Sequence, residues 1–108
     1  MKNLLLAAAV ALIPATLDAR TCEDMSMAVG LVATLQQTGY TPEQVRHLVR
    51  IAPTDTIHPT WYPLIDEAVD DIWPLLPPPL PTQAQRDAFA ATLEANALAQ
   101  CWRLTDDR

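Results

Sequence analysis

The sequence is poor in glycine, lysine and cysteine, with two, one and two of these residues among 108. The only lysine is Lys2, and the chain after residue 19 carries six arginines against 12 acidic residues, a net charge of −6. Nucleic-acid phosphates and anionic lipids both require a basic face, so this balance argues against both partners. No run of β-branched residues alternates over the length of a strand, which argues against a sheet.

Recognisable catalytic patterns are also missing. The sequence has no nucleophile paired with a base and no glycine-rich phosphate loop. His47 and His58 are the only imidazoles, and neither has metal-ligand spacing with the other or with a cysteine. We therefore expect no enzyme, no cofactor and no metal, and leave open a pH-sensing role for either histidine.

The first 19 residues have the layout of a secretory signal. Lys2 precedes an uninterrupted apolar run over residues 4–13, Pro14 breaks any helix, and Ala15 and Ala19 offer small residues near a cleavage point. Ten apolar residues span about 15 Å as a helix, too short for a bilayer core of about 30 Å. We expect cleavage after Ala19 and export to the periplasm, with the extracellular space as the alternative and no membrane attachment afterwards.

The remaining 89 residues suit a single helical domain over residues 20–104, with a frayed tail at 105–108. Thr41 and Gln44 have the spacing of a capping box with proline between them, and Thr82 and Gln85 repeat the spacing. Gly39 is placed to stop the first helix. Thr60 is a candidate cap for a third helix, which Pro74 ends or kinks near Ile72.

Each predicted helix has a predicted inward face. The apolar positions recur at helical spacing. They are Met25, Val29, Val32 and Leu35 in helix one; Val45, Leu48, Val49 and Ala52 in helix two; Leu64, Ile65, Ala68, Val69, Ile72, Trp73 and Leu76 in helix three; and Ala84, Ala88, Ala91, Ala95, Leu98 and Trp102 in helix four. This assignment leaves Phe89 and Leu93 outside the inward face of helix four.

The two cysteines lie near opposite ends of the predicted domain. Cys22 falls in the first turn of helix one and Cys101 in the last part of helix four. In an exported chain they are expected to form an internal disulfide, which requires the two helix ends to meet with Cα atoms about 5 to 6 Å apart, most simply with the helices side by side and antiparallel. The predicted fold is an all-α, compact four-helix bundle in which this disulfide joins helices one and four.

The proline-rich run over residues 74–81 has two interpretations. Its PxxP spacing is the kind that aromatic grooves of other proteins recognise. The alternative, which we favour for an exported chain, is a stiff polyproline II crossover between helices three and four.

Two groups of residues are candidates for binding a partner protein. Asp66, Glu67, Asp70 and Asp71 share one flank of helix three, and Trp61-Tyr62 lie in the turn before it. The carboxylates could instead form a solvated face or pair with Arg46 and Arg50 of helix two. A rigid helix flank cannot wrap a cation as a flexible calcium loop does.

The segment Thr21-Cys22-Glu23-Asp24 opens a first helix in a small acidic chain with one expected disulfide, and in this it resembles the periplasmic acid-stress chaperones of enteric bacteria. The lysine-rich tail of that family is missing, and the cysteines here enclose a wider span. The architecture also resembles small helical immunity proteins, by analogy alone. We expect a non-catalytic protein that binds another protein in the cell envelope. The alternatives are an acid-activated chaperone and an inhibitor of a secreted enzyme.

Overall fold

The computed structural model describes residues 19–106, and this part of the chain is helical without a strand. Helix α1 spans Ala19–Thr38, α2 Pro42–Ile51, α3 Tyr62–Ile72 and α4 Gln83–Asp106. Two short 3₁₀ turns, Pro59–Trp61 and Trp73–Leu75, flank α3. The all-helical class and the count of four helices are confirmed.

Two predictions fall partly or wholly on residues outside this range. The signal sequence over residues 1–19 lies outside the described residues except for Ala19, and residues 107–108 of the predicted frayed tail also lie outside them. Helix α4 continues to Asp106, so its last two described residues belong to that tail. None of the described helices combines the length and the apolar character needed to cross a membrane.

Helix α1 lies at the centre of the fold, with α4, α3 and α2 packed around it. Its buried positions extend well beyond a single stripe, and they include Met25, Val29 and Val32 of the predicted inward face. Gly39, with a φ of 106°, ends the helix in a left-handed conformation that only glycine adopts without strain. The amides of Gly39 and Tyr40 bond back to the carbonyls of Gln36 and Leu35, which is the Schellman arrangement.

Both predicted capping boxes are present. The Thr41 hydroxyl accepts from the Gln44 amide at 3.2 Å, while the Gln44 side chain accepts from the Thr41 amide at 2.9 Å. Thr82 and Gln85 make the same reciprocal pair, at 3.2 Å in each direction. These bonds satisfy amides at the starts of α2 and α4 that have no partner within the helix.

The start of α3 differs from the prediction that Thr60 caps it. The N-cap residue of α3 is Trp61, which makes no side-chain cap hydrogen bond. The preceding 3₁₀ turn is capped by His58, whose Nδ1 accepts from the Thr60 amide at 3.2 Å. Because His58 precedes Pro59, its backbone is extended, and this places the ring over the first free amides of the turn. The end of α3 at Ile72, before Pro74, agrees with the prediction.

The inward face of α4 is also different from the predicted one. Ala90, Leu93, Ala97 and Cys101 are buried, and Phe89 packs partly against the core. Of the six residues predicted to face inward, five are exposed and Leu98 is partly buried. Alanines occur on every side of this helix, so they do not mark a face. Counting back from Cys101 in steps of four and three gives Ala97, Leu93 and Ala90, so the expected disulfide defined the face correctly.

The disulfide joins α1 to α4 as predicted. The sulfur atoms of Cys22 and Cys101 lie 1.99 Å apart and their Cα atoms 5.5 Å apart, over a separation of 79 residues. Both cysteines are fully buried, and they belong to the same hydrophobic core as Ile65 and Ile72 of α3. The core is therefore continuous from the disulfide to α3.

Side chains of α1 and α4 bind the proline-rich segment that connects α3 to α4. Gln36 Nε2 and Gln37 Nε2 donate to the Pro77 carbonyl at 2.7 and 3.2 Å, and Gln37 Oε1 accepts from the Leu80 amide at 2.8 Å. Arg86 Nε donates to the Leu80 carbonyl at 2.7 Å. These contacts fit the crossover interpretation. The first part of the run forms a 3₁₀ turn, and Leu76 then has polyproline II dihedral angles.

Candidate functional site

The predicted acidic flank of α3 divides into two halves. Asp66 is paired with Arg50 of α2 by two bonds, Nη2 to Oδ2 at 2.6 Å and Nη1 to Oδ1 at 3.2 Å. The Nε of Arg46 lies 3.8 Å from Asp66, and its Nη2 bonds to Asp70. Asp66 and Asp70 lie on successive turns of α3 that face α2. Both are therefore paired with arginines of the same chain.

Arg50 has a second contact. Its guanidinium carbon lies 5.0 Å from the centre of the Tyr62 ring, the geometry of a cation–π interaction. The hydrogen bond to Asp66 raises the pKa of Arg50 above its ordinary value. Tyr62 is therefore engaged beneath an arginine of its own chain.

The other half of the flank faces solvent. Glu67 and Asp71 are exposed, and neither makes an ion pair with a described residue. They lie about 100° around the helix from Asp66 and Asp70, which is why α2 does not reach them. The prediction that all four carboxylates bind a partner stays a prediction, with two of the four remaining accessible.

Trp61 lies on a different side of the molecule from the arginine–aspartate pairs. Its half-buried ring lines a groove of about 360 Å³, together with Met27 and Leu31 of α1 and Ile57 of the loop before α3. Gly30 and Glu94 form the groove's boundary towards α4. We call this feature the Glu94 groove, defined by Met27, Gly30, Leu31, Ile57, Trp61 and Glu94. Its walls are mostly apolar, with Thr34 and Thr56 as neutral polar residues, and Glu94 is its charged group.

Glu94 lies directly against the backbone of α1. A Cβ built on Gly30 would fall 2.9 Å from the Cδ of Glu94 and 3.0 Å from its Cβ, so a larger residue there would displace the Glu94 side chain from this position. Glu94 is half-buried and makes no hydrogen bond or ion pair with any described residue. The nearby Thr34 hydroxyl donates instead to the Gly30 carbonyl at 2.8 Å. The carboxylate therefore lies against α1 while its oxygens remain unpaired.

A smaller depression of about 240 Å³ continues from Glu94 along α4, lined also by Asp87 and Ala91. Asp87 accepts a hydrogen bond from Gln83 Nε2 at 2.7 Å and has no cationic partner within the described residues. The contact between α1 and α4, which we call the α1–α4 seam, thus carries two carboxylates. Of these, Glu94 also lies at the apolar groove.

A separate depression of about 370 Å³ lies on α2, lined by Tyr40, Glu43, His47 and Leu48. Gln44, which also lines it, bonds within the capping box, while Glu43 and His47 are its ionisable residues. His47 is exposed, and His58 serves as a helix cap, so neither is shown to sense pH. Within residues 19–106 no three histidine, cysteine or acidic side chains are grouped so that they could hold a metal ion.

The sequence-based reasoning identified Trp61 but missed Glu94 and the groove. The available signal was Gly30, a glycine in the middle of a helix, where it costs about 1 kcal/mol relative to alanine. Such a cost indicates that another part of the chain approaches closely. Comparison of the chain with protein-family models, with curated proteins and with solved structures finds no match.

Proposed function

We propose that this is an exported, non-catalytic protein that binds another protein of the cell envelope through the Glu94 groove. The observation that carries the proposal is the groove itself: an open apolar concavity of about 360 Å³ with an unpaired carboxylate at its edge. Mostly apolar clefts containing a small number of fixed polar groups are typical of binding sites.

The exposure of the groove's rim supports this assignment. Met27 is 47% exposed although it is a large apolar side chain, and it lies beside the half-buried Trp61 and Leu31. Methionine adapts its shape to a partner, and tryptophan is enriched at the centres of protein interfaces.

A disulfide that closes almost the whole helical domain is consistent with an oxidising compartment, which supports export.

Site-specific photocrosslinking in the native host tests the proposal. A photoreactive residue replacing Met27 or Leu31 is expected to capture one protein partner, because both positions border the groove. The matched control is the same residue at Thr92, which is exposed on α4 and lines none of the described grooves. Equal capture at all three positions, or capture at none, would contradict binding through the groove.

The predicted acidic flank is tested by the same experiment. Reversing the charge of Asp66 and Asp70 breaks the contact with Arg46 and Arg50, whereas reversing Glu67 and Asp71 leaves that contact intact. If the partner also uses the flank, the second pair of changes reduces capture at Met27. If only the groove matters, capture is unchanged by it.

An acid-activated chaperone is a second candidate, favoured by one observation. Helix α2 is joined to α3 in part through arginine–aspartate pairs that require ionised carboxylates. Acid that protonates Asp66 and Asp70 removes the pairs and weakens the attachment of α2, which would expose Val45 and Val49. Suppression of client aggregation at low pH supports this candidate, and a chain that stays folded and inert in acid excludes it.

The third candidate, inhibition of a secreted enzyme, differs from the main proposal only in the kind of partner. It predicts that the captured protein is an enzyme whose activity falls when the helical protein is added. A captured partner without such an effect excludes inhibition and leaves the main proposal standing.

A further inference from the structure

We infer that the Glu94 groove receives a lysine or arginine side chain, carried by a partner segment with apolar residues on either side of it. This inference rests on the proposed function and specifies the chemistry of the partner. It follows from the charge, the shape and the lining of the groove.

The charge of the groove is uncompensated. Glu94 has no hydrogen-bond or ion-pair partner within the described residues, and none of the residues that line the groove is basic. The described ion pairs of Arg46 and Arg50 are made with α3, and Arg86 is bonded to the proline segment. A basic side chain from a partner would therefore meet no competing cation from the groove itself.

The carboxylate lies half-buried at the groove before binding. Glu94 projects from α4 over Gly30 of α1, and α1 is tied to α4 by the disulfide seven residues further along the chain, at Cys101. A group that is already in place loses little conformational entropy when a ligand arrives. A half-buried carboxylate also interacts more strongly with a cation than an exposed one does, because water screens it less.

The walls of the groove match the rest of such a side chain. Lysine and arginine have apolar methylene stems that pack along apolar surfaces, and Leu31, Ile57 and Met27 provide that surface. The face of Trp61 adds a cation–π site on the same groove. Apolar neighbours of the basic residue in the partner segment would then cover the exposed part of Met27.

An unbiased peptide selection tests the inference. Random 12-residue peptides displayed on phage are selected against the oxidised protein and then screened against Trp61→Ala to retain binders that depend on the groove. We expect the retained peptides to carry a lysine or arginine flanked by apolar residues. Synthetic peptides with that basic residue replaced by norleucine are expected to bind about tenfold more weakly, since a charged hydrogen bond is lost.

Two variants assign the effect to Glu94. Glu94→Gln removes the charge with little change of shape and should weaken the basic peptides about tenfold, while the matched control Glu43→Gln, at an exposed position of α2 outside the groove, should leave binding unchanged. Gly30→Ala keeps the charge but places a methyl group where the Glu94 side chain passes, so it should also weaken binding. Circular dichroism confirms that each variant is folded.

Each other outcome overturns the inference in a recognisable way. Peptides that depend on Trp61 but contain no basic residue, or that bind Glu94→Gln equally well, would overturn the charge specificity and leave protein binding through the groove intact. A selection that yields no Trp61-dependent peptide would overturn both. Dimerisation of the wild type that Trp61→Ala abolishes, measured by sedimentation velocity, would show that a second copy occupies the groove.

Discussion

The two pairs of helices in this fold are joined by different means. Helices α1 and α4, distant in the sequence, share a disulfide and the most extensive apolar contact of the molecule. Helices α2 and α3, which follow each other in the chain, make a smaller contact in which Arg46 and Arg50 pair with Asp66 and Asp70. The first pair is tied covalently and buried, whereas the second relies on exposed charges and two buried valines of α2.

This difference indicates a division of the molecule into a rigid and a less stable part. Exposed ion pairs contribute little because water and salt screen them. Helix α2 has ten residues, too few for an isolated helix to be stable in water, so it depends on its packing. We expect α2 to open locally before the rest of the fold does, while the α1–α4 seam, which carries the Glu94 groove, stays closed.

The largest predicted effect is on the covalent link. Replacing both Cys22 and Cys101 by serine should lower the free energy of unfolding by about 4.5 kcal/mol in the chain-entropy model. Urea unfolding measures the loss, and the reduced wild-type protein is the control, since it should unfold like the double variant. A loss below about 1 kcal/mol would mean that the α1–α4 seam does not depend on its disulfide.

A matched pair of core substitutions compares the two regions directly. Val29 of α1 and Val49 of α2 are 0% and 1% exposed. Valine to alanine removes two methyl groups, about 1.6 kcal/mol by transfer. At Val29, in the rigid α1–α4 seam, the cavity should persist and raise the loss to about 3 kcal/mol. At Val49, α2 can shift to fill the space, so the loss should be smaller. Equal losses of unfolding free energy for Val29→Ala and Val49→Ala would show that α2 is as rigid as the α1–α4 seam.

The connection between the two regions is tested at the proline segment. Gln37 is 2% exposed and bonds to Pro77 and Leu80, so Gln37→Leu should cost about 1 to 3 kcal/mol of unfolding free energy, because buried polar groups lose their partner. Gln83→Ala, at an exposed position of α4, is the control and should change stability by less than about 0.5 kcal/mol. If the two substitutions are equivalent, the glutamine contacts do not hold the segment.

The smallest effect concerns the charges between α2 and α3. The raised pKa of Arg50 means that this arginine stabilises the fold at all pH values below its ordinary pKa, and that its contribution disappears only as the pH rises through the raised value. Arg50 itself therefore stays charged on acidification, and a loss of stability in acid comes from other groups.

Hydrogen exchange measures this last effect. On acidification the protection factors of α2 amides should fall while those of α1 are unchanged. Arg50→Met should reduce the pH dependence in α2, whereas Asp71→Asn, which touches no described cation, should leave it as in the wild type. A fall of equal size in α1 and α2 would show that acid loosens the whole fold and would favour the chaperone candidate.

Local signals in the sequence predicted local structure well. The capping boxes at Thr41 and Thr82, the stop at Gly39 and the end of α3 before Pro74 all depend on residues within a few positions of each other. The disulfide also predicted correctly which helix ends meet. These features were accessible because a single strong chemical preference decided each of them.

Apart from the cap at Thr60, the features that failed depend on contacts between distant segments. Alanines on all sides of α4 carry no information about its inward face, which is set instead by Cys101 and by the packing of Leu93 against the core. The groove could not be predicted because Met27, Trp61 and Glu94 come from three parts of the chain that meet only in the folded protein. The split of the acidic flank likewise depended on where α2 lies.

The position of the disulfide has a consequence for the response of the protein to proteolysis. Cys22 and Cys101 close the described domain into a covalent ring that includes the exposed loop before α3. Exposed loops are the preferred sites of proteolytic nicking. A protease that cuts once within this ring produces no free fragment, because both pieces remain attached through the cysteines. The nicked protein keeps its parts together at a fixed ratio and can reassemble without meeting a second molecule.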